Sequence, residues 1–308
     1  MDVHLRDGLT IGSASGSVPA ERRFSSVKCA GAILITAIAT VSCGEDAPVP
    51  FHQPPADAVF SETIRQVVVE VDYADGATPF TGGAGSLQDV WSITRENLAA
   101  LFAGSDKTLV VPSTLSEMAN VGGATGPFDS TRILDIAVQH RKVFSSEDSV
   151  SLYVLFLDGY YEVGGAIDDT VLGAALAGTG VIAMFVPVIE SAGRPFETTS
   201  VPLTEQATLV HEIGHSFGLV NVGLPMVSDH EDPNHRSHCT NSRCVMYWAN
   251  EGAAGLDQFL SGSVDAGNVV LFDKACLADA RAAALPGDAG ADAAGTLAAF
   301  RDAGLAGF

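Results

Sequence analysis

The clearest chemistry in this chain lies within one helical turn, in the run His211-Glu212-Ile213-Gly214-His215. On an α-helix, positions i and i+4 are neighbours on one face, so two imidazoles at that spacing reach a single metal ion. Neutral imidazoles hold Zn2+ while leaving a coordination position open, and the ion lowers the pKa of a water placed there towards neutrality. Glu212 then stands as general base, taking the water's proton during attack on a peptide carbonyl and passing it to the leaving amine. At 100° per residue, His211, Glu212 and His215 share one side, with Leu209, Val210, Ile213 and Phe217 opposite. Two surface histidines beside a solvated glutamate would need no such division between a cleft face and a core face.

Two histidines do not complete the site. His215 is followed by Ser216-Phe217-Gly218, and a glycine there can take the left-handed conformation that ends a helix in a sharp turn. The extended pattern, HExxHxxG, resembles the metzincin metallopeptidases, in which a third His follows two residues after the Gly and a methionine-containing turn comes later. Asn221 occupies the third-His position here, and asparagine is a poor zinc ligand. Further on, His238-Cys239-Thr240-Asn241-Ser242-Arg243-Cys244-Val245-Met246 reproduces the HCx4CxM spacing of the archaemetzincin branch, with residues 221–237 as an insertion. The resemblance implies His238 as third zinc ligand, Met246 as an apolar floor under the metal, and a disulfide between Cys239 and Cys244, acceptable in an oxidising compartment. It would also bring a further CxxC zinc site, and the chain has no CxxC.

The third ligand stays open at this level, because His230 and His235 lie in the insertion beside Asp229, Glu231 and Asp232. Those acids lack the donor spacing of a calcium loop and read as a solvated segment. A gluzincin-like site with Glu251 as ligand is a second arrangement. Tyr247 either approaches the metal or packs in the core, and Cys276 reads as a buried thiol. Asp158, Asp168 and Asp169 read as solvated loop carboxylates, His52 and His140 as structural or surface residues, and residues 82–85 as a turn.

The elements that position these residues follow from periodicity. Strands are expected over 64–73, 107–111, 151–161 and 180–189, the last two apolar enough to be covered on both faces. Residues 170–178 form a weaker candidate for an edge strand, the element that in metzincins pairs with extended substrate. Helices are expected from Ser86 to about Phe102, from Ser130 to about Lys142, from about Thr204 to Leu219, and from about 265 to just before Pro286. The alternation of strands and helices implies an α+β, metzincin-like fold: a twisted mixed sheet, a backing helix, an active-site helix, and a small C-terminal part carrying the Met turn.

The chain has 308 residues, 47% of them hydrophobic, and a formal charge of −21 from 37 acidic against 16 basic side chains. That balance excludes a nucleic-acid binder working through clustered Lys and Arg. At the N-terminus, Arg22, Arg23 and Lys28 precede an apolar run, Ala30 to Val41, the length of a signal-peptide core. Its end, Ser42-Cys43-Gly44, resembles a bacterial lipobox with Cys43 as the lipidated residue, although Thr40 stands where an aliphatic residue is usual. Translation is expected to start downstream of Met1, at a valine such as Val18 or Val27. The acidity stays with the mature part, since residues 1–42 carry four bases and three acids. The expected organisation is a leader over 1–43, a Pro-rich linker over 44–60, a metallopeptidase domain over 61–285 and an Ala/Gly-rich tail over 286–308. The reading is an exported, lipid-anchored, monomeric zinc endopeptidase acting on proteins or peptides. The competing reading is a catalytically silent lipoprotein that keeps zinc as a staple or binds peptides uncut.

Overall fold

The computed structural model describes residues 53–193, 200–263 and 269–285. Cys43, the rest of the expected leader and the tail after Pro286 lie outside the described residues. In chain order the elements are α1 (Ala56–Phe60), β1 (Gln66–Ala74), α2 (Ser92–Leu101), β2 (Thr108–Val110), β3 (Ala119–Gly122), β4 (Thr125–Phe128), α3 (Ser130–His140) and β5 (Ser149–Val163). They continue with β6 (Ala166–Asp168), β7 (Gly173–Leu176), β8 (Val181–Phe185), α4 (Val186–Ala192), α5 (Ser200–Ser216), α6 (Ala253–Ser263) and α7 (Lys274–Ala284). Single 3-10 turns lie at Leu115–Glu117 and Trp248–Glu251.

The sheet is mixed, in the order β2-β1-β5-β8-β7. Strands β2, β1, β5 and β8 run parallel, and β7 closes one edge antiparallel to β8. β5 is long enough to pair with β1 and β8 through its first half and with β4 and β6 through its second. Val150 to Leu157 are all buried, as a strand covered on both faces requires. α5 packs on β7 and β8 and is flanked by α2, α4 and α6, while α3 packs on β4, β5 and β8.

Three expected elements end differently, each for a local reason. α2 begins at Ser92 rather than Ser86, because Ala84 and Leu87 exchange both backbone hydrogen bonds at 3.0 Å and turn the chain first. The apolar run 180–189 is a strand only to Phe185. Pro187 then falls in the first turn of α4, where its missing N–H removes no helical bond. α7 starts at Lys274, since Asp273 caps it by accepting from the N–H groups of Ala275 and Cys276, both at 3.0 Å. α1 falls within the stretch expected as linker, yet Val59 and Phe60 are buried. The Phe60 ring lies 5.1 Å from Phe102 and 6.2 Å from Phe217, which ties α1 to the ends of α2 and α5.

Candidate metal centre

α5 is buried on nearly every side, not only along its apolar stripe; Thr204, Glu205, Gln206, Thr208, His211 and Glu212 are all buried. Polar residues inside a core need partners. Thr94 Oγ1 donates to Gln206 Oε1 at 2.7 Å, tying α2 to α5. The helix ends in a Schellman turn: Gly218 N–H donates to His215 C=O and Leu219 N–H to Gly214 C=O, both at 3.0 Å, with Gly218 at φ +80°. A Cβ on Gly218 would meet the Ala56 Cβ at 2.5 Å, so only glycine fits this turn.

His211, His215 and His238 converge, with ring centroids 4.7, 5.0 and 5.4 Å apart. One ligand atom from each, together with a Glu251 carboxylate oxygen, lies within 4.8 Å of the others, a group able to hold a metal ion. The Nε2 atoms of His211 and His215 face each other at 3.0 Å. His211 Nδ1 is 2.7 Å from the Val245 carbonyl, which can only accept. That bond fixes the proton on Nδ1 and leaves the Nε2 lone pair free for a metal. The carbonyl is itself held in place. Asn97 Oδ1 accepts from Leu271 N–H at 2.7 Å, Leu271 C=O accepts from Val245 N–H at 2.8 Å, and Asn250 Nδ2 donates to Val245 C=O at 3.1 Å.

The electrostatics favour neutral rings at His211 and His215. Burial, the largest cause, carries the pKa of His211 down to about 4, and burial with the neighbouring His211 and His238 holds His215 well below its ordinary value. For His238 burial acts downward too, but the Glu251 carboxylate at 2.9 Å and the Arg236 carbonyl at 2.9 Å from Nδ1 raise it overall. Glu212 is pushed up to about 8 by burial and then by the charge of Glu251. A cation among these groups would keep the imidazoles neutral and bring the Glu212 carboxyl back down.

The other expected site residues are placed as follows. Met246 lies under α5, and a Cβ on Gly214 would stand 2.3 Å from its Sδ. Asn221, in the left-handed region at φ 64°, donates to Glu231 Oε2 at 3.1 Å. His230 is outside the cluster, its Nε2 2.7 Å from the buried Asp279 carboxylate. His235 stacks on Trp248 at 4.0 Å. Tyr247 lies beside Trp248, ring centroids 5.7 Å apart. In the insertion, Glu231 accepts from Ser237 N–H at 3.0 Å and pairs with Arg236 at 2.8 Å, while Asp232 accepts from Asn234 and His235 N–H groups. These acids staple the loop that returns His238 to α5. Glu251, considered above only as an alternative to His238, stands beside it.

The expected Cys239–Cys244 disulfide is not formed: Cys239, Cys244 and Cys276 are free and buried. The physical reason is a different convergence. Cys244 Sγ is 3.6 Å from Cys276 Sγ, Cys239 Sγ is 3.6 Å from Asp273 Oδ2, and the four donors lie within 4.8 Å of one another. Three thiols and a carboxylate are a donor set that suits zinc. Asp273 and Cys276, three residues apart at the start of α7, thus stand where a CxxC pair would be sought. Their spacing is the signal that a search for cysteine pairs overlooks.

The chain matches no protein-family profile and no curated protein. Among solved structures it is similar to a zinc-dependent peptidase from Methanocorpusculum labreanum (strain Z), with 17% sequence identity and a TM-score of 0.39 over 69% of this chain and 99% of that one.

Proposed function

We propose that this protein is a zinc-dependent endopeptidase of metzincin type, with His211, His215 and His238 as the zinc ligands and Glu212 as general base. The observation that carries the reading is the convergence of three imidazoles from two distant parts of the chain beside a buried glutamate. A zinc ion held by His211, His215 and His238 would supply Lewis acidity there, polarising a carbonyl and acidifying water. The protein's own residues do the rest. Val245 C=O orients His211, Arg236 C=O orients His238, and Met246 supports the helix from below. Glu212, buried beside the three imidazoles, is placed to receive the proton of the attacking water and return it to the leaving amine. The edge strand β7, beside Glu212, is an element with which an extended peptide could pair.

The cluster of Cys239, Cys244, Asp273 and Cys276 is read as a second, structural zinc site with four protein donors. The leader is read as an export signal with Cys43 as lipid anchor. Intact mass of the processed protein tests that part. Among the described residues no helix is long and apolar enough to cross a membrane.

One observation favours the silent, zinc-stapled reading instead: Glu251 lies within ligand reach of the histidines, and four protein ligands would close the site. Cleavage of a peptide library by the zinc-loaded protein separates the two. The peptidase reading expects cleavage that stops on chelation and in Glu212→Ala, the variant still holding its zinc. Undiminished cleavage in either case would sink it.

A further inference from the structure

Strand β7 lies at the edge of the sheet, and its pairing with β8 fixes which of its backbone groups face outward. Phe185 N–H donates to Leu172 C=O at 2.9 Å, so Leu172 and Phe185 form a hydrogen-bonded pair. Alternation in an antiparallel ladder then points Ala174 and Leu176 at β8, and Gly173 and Ala175 away from it. The outward groups are those an added strand would use. Among the described residues one of them is already engaged: Ala175 N–H donates to Glu212 Oε2 at 2.8 Å. Gly173 lets the strand lie that close, because a Cβ there would stand 2.9 Å from both Glu212 Cγ and Thr208 Cγ2. The general base therefore occupies the donor that an incoming peptide needs.

We propose that Ala175 N–H holds Glu212 in reserve, and that the backbone carbonyl of an extended peptide pairing with β7 displaces it. Ala175 is thus a positioning residue, acting through Glu212. The displacement rests on the peptidase reading given above and adds to it a coupling between occupancy of the edge and readiness of the base. No bond is made or broken: the amide proton stays on nitrogen and exchanges a carboxylate acceptor for a carbonyl. Free enzyme keeps its base away from solvent water, and only a substrate long enough to reach Ala175 frees it. Peptides that stop short of Ala175 should then lose turnover and not binding alone, since binding energy at a remote contact is used to arrange the reacting groups.

The experiment has two arms on the full-length protein. In the first, hydrogen exchange of the Ala175 amide is followed by NMR. Glu212→Ala is expected to speed exchange at least tenfold, and a saturating random hexapeptide pool to restore protection in that variant. Exchange indifferent to Glu212→Ala, or to the pool, would overturn the proposal whether or not the protein is a peptidase. In the second, the best-cleaved peptide is resynthesised with each flanking carbonyl in turn replaced by a reduced amide. One replacement is expected to lower kcat at least tenfold in the native protein and to leave kcat unchanged in Ala175→Pro, which has no N–H to hold Glu212. Proline is tolerated at an outward-facing edge position, and a thermal melt checks that the variant folds. A rise in KM alone would overturn the coupling while leaving the peptidase reading intact. Absence of all cleavage would sink the peptidase reading and leave the exchange arm to judge the hold on Glu212.

Discussion

His238 and Cys239 are adjacent in the chain, yet their side chains enter different donor clusters: His238 joins His211 and His215, and Cys239 joins Cys244, Cys276 and Asp273. The backbone between them is pinned from both sides, Asp232 N–H donating to His238 C=O and Cys239 N–H to Met246 C=O, each at 2.7 Å. The same short backbone segment thus carries the third imidazole and the first thiol.

The first prediction follows from that linkage. Metal analysis of the purified protein should find two zinc ions per chain, falling to one in Cys276→Ser. Loosening the His238 segment should also weaken the remaining ion about 10- to 100-fold, the usual effect of losing a residue that orients a ligand. Competition with a chromogenic chelator reads it. One zinc in the native protein, or unchanged affinity in the variant, would contradict the linkage.

The choice of third ligand is tested by a pair of variants. His238→Ala should lose the zinc of the histidine cluster, whereas His230→Ala should keep it, because the His230 Nε2 is taken by Asp279 at 2.7 Å. Asp279→Ala should instead destabilise the fold by about 3–5 kcal/mol, since it leaves a buried partner uncompensated. Asp279 Oδ1 also accepts from Val227 N–H at 2.6 Å, which adds to the loss. Urea unfolding measures the second effect and metal analysis the first.

Packing under the site makes a third expectation. Gly214→Ala would place a methyl 2.3 Å from Met246 Sδ and 3.1 Å from the Phe272 ring, so the buried Met246 side chain has to shift. Overpacking of this kind costs about 1–3 kcal/mol. The displacement acts on the turn between His211 and His215, so the variant should lose zinc affinity along with stability. A melting temperature and metal content equal to those of the native protein would show that Met246 does not support the helix.

Glu205 gives the pH dependence. Burial pushes its carboxyl up to about 8, with Phe80 N–H at 3.2 Å and the Gln206 amide at 3.5 Å opposing weakly. Between its ordinary value of 4.5 and about 8 the unfolded chain has released the proton and the folded chain retains it. Stability therefore falls as pH rises through that window, by up to a few kcal/mol, and the slope vanishes above it. Glu205→Gln, which keeps the shape without the ionisation, should flatten this part of the profile. Chemical denaturation at pH 5 and pH 8 compares the two proteins, and identical slopes would count against a protonated Glu205.

Half of the candidate site is local in the chain. His211, Glu212 and His215 are legible because one helical turn brings them together whatever surrounds the helix, and Gly218 is legible because its left-handed turn is a local requirement. The HCx4CxM spacing likewise pointed to His238 and Met246. The strands over 151–161 and 180–185 were readable because double burial leaves a continuous apolar run. Tertiary structure decided the rest. Which of His230, His235 and His238 stands beside His211 and His215 depends on how the insertion folds back, and Glu231 and Asp232 fasten that loop through bonds to backbone N–H groups. The fate of the cysteines was equally hidden. Local spacing puts Cys239 and Cys244 within reach of each other, but only the docking of α7 brings Asp273 and Cys276 beside them. A contact between residues some thirty positions apart depends on packing, and no period in the sequence encodes it.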